Sequence, residues 1–205
     1  MRKTIRNERG FTLLESVLVI GIMMILMGIA VIKSFGSMET YAASSAMDTV
    51  VSQLRVARQL AISQRRTVEV WIDNSPEAAD NRFHVAYQVQ SAGKQTTEVA
   101  GLKISVPVPG TTQFILESGV PDTPMAFGNN AAVYIGNPPV AGGPPVMQFN
   151  PDGTFTDNNL TLLNGTVFIG VPNQSGTARA VTIMGGSGRV RAYTWSGSAS
   201  IGWIE

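Results

Sequence analysis

The residues with the most distinctive chemistry lie at the start of the chain, in the run from Arg9 to Ser16. A basic leader ends at Gly10, which offers a peptidase a small-residue cleavage site, and a long apolar stretch follows. Secretory signals carry such a site after the apolar region, which is then discarded. Cleavage between Gly10 and Phe11 would instead keep the apolar segment and create a new α-amino group at Phe11.

Glu15 places one carboxylate inside this apolar stretch. A charged side chain within a transmembrane helix costs about 2.5–3.5 kcal/mol on insertion scales and usually has a partner and a function. No Lys, Arg or His lies between Phe11 and Ile32. The available cation is therefore the amine created at Phe11, on the same or a second molecule. The alternative is a Glu15 side chain that lies near the membrane interface and reaches water.

The stretch from Ser16 to Ile32 has no charge and, at about 1.5 Å per residue, spans roughly 25 Å as a helix. Adding residues 11–14 brings it to the length that a bilayer requires. Four cations precede it and only Lys33 follows, which places the N-terminus in the cytoplasm. We therefore predict a leader at 1–10, a transmembrane segment at 11–33 in the inner membrane, and a periplasmic globular domain at 34–205.

The run from Gly10 to Glu15, followed by an unbroken apolar helix, closely resembles the type IV prepilin signature. The resemblance implies that a membrane prepilin peptidase cuts after Gly10 and methylates the new amine of Phe11. It also implies that Glu15 pairs with the amine of a neighbouring subunit as subunits enter a filament. The expected partners are the prepilin peptidase, other major and minor pilins or pseudopilins, and the inner membrane.

Composition fits a single extracytoplasmic domain behind one helix. The chain has 205 residues and no cysteine, which excludes a disulfide framework and thiolate chemistry. Its formal net charge is +1, but the leader holds four cations and one acid. Without the leader, 11 Lys/Arg face 13 Asp/Glu, a net charge of −2. Only a local patch, and not the overall charge, can therefore attract nucleic acid.

Periodicity predicts an α+β fold, in which a long pilin-like N-terminal helix packs on an antiparallel sheet or small sandwich. Apolar residues at helical spacing extend the helix to about residue 66: Met47, Val50, Leu54, Ala57 and Ala61. Alternating or apolar segments predict strands at 68–72, 83–89, 102–108, 131–135 and 146–149. Asn150–Gly153 reads as a type I turn, and 118–145 as a largely irregular loop.

The last hairpin can be placed in register. A four-residue loop, Gly185–Gly188, pairs Ile183 with Val190 and Val181 with Ala192 on a buried face. The same register gathers four side chains on the opposite face: Arg189, Arg191, Tyr193 and Trp195. With Arg179, these arginines make an acid-free basic region that suits phosphate contact and ring stacking. The alternatives are an ordinary solvated face or contacts with a neighbouring pilin or a carboxylate.

Other candidate chemistry is weak. His84 is a single histidine on a predicted strand, and Ser91 and Lys94 match a Ser-x-x-Lys pattern only within a predicted turn. Asn150, Asp152 and Asp157 could hold Ca²⁺, but the turn sequence explains them and the EF-hand spacing is absent. We therefore expect no catalytic residues, cofactor, metal or small-molecule substrate, and predict that the protein is not an enzyme.

Three segments, residues 54–62, 149–153 and 188–191, resemble the GspH/FimT group of minor pilins and pseudopilins. The resemblance implies a minor subunit of a type II secretion pseudopilus or a type IV pilus. Within the FimT side, a C-terminal Gly-Arg-x-Arg motif implies DNA capture during natural transformation, and residues 188–191 match it. The major pseudopilin is disfavoured, because its expected calcium loop would need acids after Asp157, and the next is Glu205.

Overall fold

The computed structural model describes residues 12–72, 85–89, 112–122, 124, 130–135, 147–157 and 159–205, with the backbone alone at 30–37, 71–72, 85–89 and 135. Several predicted features lie outside these residues: the leader, Phe11, His84, Ser91, Lys94, the strand at 102–108 and most of the 118–145 loop. The chain divides into two compact units, Met1–Met38 and Glu39–Glu205.

One helix, α1, runs from Leu13 to Gln64. It ends in a Schellman motif, in which the Arg65 N–H donates to the Ile62 carbonyl and the Arg66 N–H to the Ala61 carbonyl. Arg65 has the left-handed φ of 51° that this motif needs. The helix therefore ends at Gln64, two residues before the end predicted near residue 66. In the part of the chain that the structure describes, no helix is long and apolar enough to cross a membrane.

The described residues of the second unit form two antiparallel sheets. Their strands are β1 Val68–Ile72, β2 Val85–Val89, β3 Val133–Ile135, β4 Met147–Phe149, β5 Phe155–Thr156, β6 Gly165–Val171, β7 Gln174–Met184, β8 Arg189–Trp195 and β9 Trp203–Ile204. The sheet orders are β2-β1-β4-β5 and β3-β6-β7-β8-β9. The α+β prediction is confirmed.

The main core lies between the apolar stripe of α1 and the two sheets. Val50, Leu54, Ala57 and Ala61 are fully buried, as the helical spacing predicts, and Met47 is half-buried against them. Sheet residues on the other side of this core include Phe149, Phe155, Val167, Val181 and Ile183. The stripe therefore fixes which side of α1 faces solvent, and with it the positions of the helix arginines.

The five-stranded sheet is buried on both faces. Val167 and Ile169 of β6 face the core under α1, whereas Phe168 packs with Ala180 and Tyr193 on the opposite face. Leu116 and Trp203 cover this second face. Because both faces of β6 are covered, the apolar residues Val167, Phe168 and Ile169 follow one another in its sequence without alternation. β6 is not among the strands predicted from the sequence.

Candidate functional site

Thr12 and Glu15 form the start of α1. The Glu15 N–H donates to the Thr12 hydroxyl at 3.3 Å, and the Ser16 N–H donates to the Thr12 carbonyl at 3.1 Å. Thr12 is therefore the N-cap residue, and Glu15 occupies the third helical position, the place of the acid in a Thr-x-x-Glu capping-box sequence. A carboxylate there is also favoured by the helix dipole. The position of Glu15 in the first turn of α1 is thus favourable independently of the ion pair expected from the sequence.

The helix beyond Glu15 carries its apolar side chains exposed. From Leu13 to Ile29, thirteen large apolar residues are between 41% and 83% exposed. They include the consecutive residues 17–20, which point to all sides of a helix. A helix that is apolar all round is normally buried in a large core or a membrane. This surface therefore requires a cover that the described chain does not itself provide.

The hairpin at the other end of the chain has the predicted register. Ile183 pairs with Val190 and Val181 with Ala192, across the turn Gly185–Gly188. Gly188 has a φ of 58°, and a Cβ there would collide with the Gly153 carbonyl and approach Arg58 Nε to 2.9 Å. The glycine of the Gly-Arg-x-Arg motif is therefore required by the turn itself.

The predicted aromatic face of this hairpin is not open to solvent, which corrects the expectation. Tyr193 is 6% exposed and Trp195 is 5% exposed. The Trp203 ring covers Trp195 at a centroid distance of 5.5 Å, and its indole N–H donates to the Pro121 carbonyl. The rings serve as core, and stacking on a ligand base would require this cover to open.

The three predicted arginines lie in three different environments. Arg189 is exposed, while Arg191 is half-buried and forms an ion pair with Glu205 at 3.0 Å. Arg179 is only 4% exposed and points to the α1 side, where it donates to the Ser44 hydroxyl and to the Ala178 carbonyl. Burial lowers the pKa of Arg179. Arg179 therefore does not share a surface with Arg189, contrary to the predicted basic region.

A groove beside the turn brings Arg189 together with two arginines of α1 that were not predicted as site residues. Its volume is about 610 Å³, and its lining residues are Arg55, Arg58, Gln59, Ser187, Gly188, Arg189 and Val190. We call it the arginine groove. The sequence carries one signal for this groove. Arg55 and Arg58 are not part of the buried apolar stripe of α1, and because they are three residues apart they lie on one side of the helix.

The turn at Asn150–Gly153 is confirmed and uses its polar groups internally. The Gly153 N–H donates to the Asn150 carbonyl at 2.8 Å. Asp152 accepts hydrogen bonds from the hydroxyl and the N–H of Thr154, which lower the pKa of its carboxyl. Asp157 likewise accepts from the N–H groups of Asn159 and Thr161. Among the described residues, no group of three or more acids or histidines could hold a metal ion.

Two family models match the chain. The prokaryotic N-terminal methylation motif matches residues 5–31, which include Gly10, Phe11 and Glu15. The family of the type II transport protein GspH matches residues 46–188, from the core half of α1 to the turn before β8. No curated protein matches the chain.

Two of the solved structures that match the chain cover most of it. The type IV minor pilin FimU of Pseudomonas aeruginosa has 15% sequence identity and a TM-score of 0.42, covering 79% of this chain and 97% of its own. The minor pseudopilin EpsH of the Vibrio cholerae type 2 secretion system has 13% identity and a TM-score of 0.45, covering 74% and 96%.

The family assignment rests on the GspH match, which spans more than half of the chain, and it agrees with the methylation motif that precedes it. These features join an N-terminal segment that carries the methylation motif to an α+β head. The chain therefore belongs to the GspH family of type II transport proteins.

Proposed function

We propose that the chain is made as a precursor whose leader, residues 1–10, is removed after Gly10 by a prepilin peptidase that also methylates Phe11. Residues 11–33 then anchor the protein in the inner membrane, with the N-terminus in the cytoplasm and residues 34–205 in the periplasm. From the membrane the subunit enters a type II secretion pseudopilus or a type IV pilus. Its role is structural, without catalysis, a cofactor or a small-molecule substrate.

The observation that supports this proposal is the exposed apolar surface of α1 between Leu13 and Ile29. Contiguous apolar surface costs about 25 cal/mol per Å² in water, so a surface of this extent marks a site that is covered in the working state. A bilayer can cover it before assembly, and the apolar helices of neighbouring subunits can cover it afterwards. The same apolar surface would thus contact lipid before assembly and neighbouring subunits after it.

Glu15 would then be the polar group that fixes the register of packing. Glu15 follows Phe11 by four residues, about one helical turn, and we propose that its carboxylate pairs with the N-terminal amine of Phe11 on the same or an adjacent subunit. An apolar surrounding strengthens a close ion pair and penalises an unpaired charge. If two packed helices were shifted along their axes from the correct register, the carboxylate of Glu15 and the amine of Phe11 would both be left unpaired. We therefore assign Glu15 to filament assembly in addition to its place in the capping box.

The processing step is tested by replacing Gly10 with Val. We expect wild type to be recovered with the mass of a chain that begins at Phe11 and carries one added methyl group. Gly10→Val should keep the precursor mass, because a bulky residue blocks a small-residue cleavage site. Intact-mass spectrometry of membrane extracts measures both.

Gly21→Ala is the matched control for this experiment. It changes another glycine of the N-terminal segment, at a position where a Cβ meets no atom within 4 Å. It should be processed like wild type. Recovery of wild type at the precursor mass, or cleavage of Gly10→Val at the same bond, would contradict the proposed processing.

A second candidate function is DNA binding during natural transformation. It is supported by Arg189, an exposed arginine in a Gly-Arg-x-Arg sequence with no ion pair among the described residues. Arg191 contributes less, because Glu205 already neutralises it, and Arg179 is buried. Binding through so few cations should be weak and salt-sensitive, since affinity depends on the number of phosphates neutralised.

Gel-shift titration of the detergent-solubilised full chain with duplex DNA tests this function. We expect Arg189→Ala/Arg191→Ala to weaken binding at least about tenfold at low salt, and binding by wild type to fall steeply as salt increases. Arg65→Ala/Arg66→Ala removes the same charge from the exposed end of α1 and should change binding less than about twofold. Equal binding by wild type and the Arg189/Arg191 variant would remove this function.

A further inference from the structure

The arginine groove combines side chains from two distant parts of the chain in the second unit. Arg55 and Arg58 come from the solvent side of α1, and Arg189 comes from the first position of β8. Ser187, Gly188, Gln59 and Val190 complete the lining, which combines the arginine side chains with apolar surface. Neither the family match nor the hairpin motif assigns a role to the two helix arginines.

The two helix arginines are held in place by the turn and the strand below them. Arg58 Nε donates to the Gly153 carbonyl at 3.2 Å, and Arg55 Nη2 donates to the Val190 carbonyl at 3.5 Å. A guanidinium has five N–H donors in a rigid planar fork. Each bond uses one donor and leaves the others available. The groove therefore presents partly oriented guanidinium groups, which lowers the entropy lost on binding.

The charge of the groove is not neutralised within the part of the chain that the structure describes. There, none of its three arginines forms an ion pair, whereas nearby Arg191 is paired with Glu205. Three cations that share one groove repel one another, and an anion placed among them relieves this repulsion. Guanidinium forks bind carboxylate and phosphate through paired hydrogen bonds. The groove is thus built for an oxyanion.

We propose that the arginine groove binds carboxylate side chains of an acidic segment on a partner subunit. The proposal rests on the assignment of this chain as a filament subunit, since such a subunit must contact other subunits through its head. It adds the chemistry of one such contact and names the residues that make it.

Two observations favour an acidic protein segment over a nucleic acid. The groove supplies only three cations, while duplex DNA presents one charge per about 1.7 Å and is normally held by a longer basic surface. Asp152 also stands next to Gly153, which receives the Arg58 hydrogen bond, so a fixed negative charge flanks the groove. A discrete carboxylate avoids this charge more easily than a continuous phosphate backbone does.

Photo-crosslinking in cells of the native host tests the proposal on the full chain. A photoreactive amino acid replaces Gln59, which is exposed and lines the groove. We expect a crosslink to another pilin-type subunit at a peptide that contains Asp or Glu. Arg55→Glu should lower the crosslink yield at least about tenfold, since a charge-assisted pair is lost and a repulsion is added. A Lys at the crosslinked acid of the partner should restore the yield.

Arg66→Glu is the matched control, because Arg66 is an exposed arginine just beyond α1 and outside the groove. It should leave the yield within about twofold. Four outcomes overturn the proposal: no crosslink to a subunit, a crosslink to DNA, an equal loss with Arg66→Glu, or no rescue by the reciprocal Lys. The amount of the chain in the filament fraction is measured in parallel. If one of these outcomes is found while the chain still enters the filament in normal amount, the groove contact is rejected and the filament role is retained.

Discussion

Glu15→Gln should reduce incorporation into the filament at least about tenfold while leaving membrane insertion unchanged. The substitution removes the charge and keeps a residue that is equally suited to the third position of the capping box with Thr12. It therefore separates the two roles of Glu15. An ion pair in apolar surroundings cannot form with an amide, and the neighbouring amine would be left without its carboxylate. The measurement is the ratio of the subunit in sheared filaments to that in membranes.

The control for this experiment is Thr12→Val, which removes the N-cap hydroxyl and keeps the carboxylate of Glu15. It should weaken the first turn of α1 by about 1 kcal/mol and leave incorporation within a few-fold of wild type. If Glu15→Gln assembles normally and Thr12→Val does not, the carboxylate acts only through the helix cap and the ion-pair proposal is wrong. Glu15→Gln should not increase the free energy of membrane insertion, since a neutral amide is less costly in a bilayer than a charged carboxylate.

Gly188→Ala should strongly destabilise this head, although it adds only one methyl group. A residue with a Cβ is strained at a φ of 58°, and the new methyl group would collide with the Gly153 carbonyl and press on Arg58. Left-handed strain and overpacking together should cost about 2–5 kcal/mol. For a unit of this size the loss corresponds to a decrease in Tm of about 5–15 °C. Thermal unfolding followed by near-UV circular dichroism in detergent measures it.

Gly186→Ala lies two residues away in the same turn and provides the comparison. A Cβ at Gly186 meets no atom within 4 Å. Its effect should lie within about 1 kcal/mol, and it is expected to stabilise slightly by restricting the unfolded chain. Equal Tm values for the two variants would show that the close approach of Gly188 to Gly153 is not maintained in solution.

The register of the β7–β8 hairpin could be predicted because a four-residue loop and period-2 alternation leave one pairing that buries the apolar face. The same register also predicts where Arg179 lies. Arg179 is two residues before Val181 and four before Ile183, so it is on the same sheet face as these residues, the face towards α1. The predicted basic region grouped Arg179 with Arg189 because both are close in sequence, and it did not consider which sheet face each residue occupies. Its burial was thus predictable in principle and was missed.

The burial of Tyr193 and Trp195 was not predictable in this way. Their cover comes from Leu116, distant in sequence, and from Trp203 in a strand of two residues, too short to show a period. The arginine groove escaped prediction for a related reason. Arg55 and Arg58 lie on a solvated helix side, and only the tertiary fold brings Arg189 beside them. Local patterns indicate elements and their faces, but not which elements meet.

The hydrogen bonds and ring contacts at Trp203 and Glu205 also bear on how this protein should be labelled. Trp203 shields Trp195 and Phe168, and Glu205 neutralises Arg191. An affinity tag or fluorescent protein fused directly after Glu205 would disturb both contacts, so loss of function in such a fusion would say little about the partner surface. An N-terminal fusion would be removed with the leader if the proposed cleavage after Gly10 takes place, or would interfere with that cleavage. Imaging experiments therefore call for a flexible linker after Glu205 or a small dye on an exposed helix position.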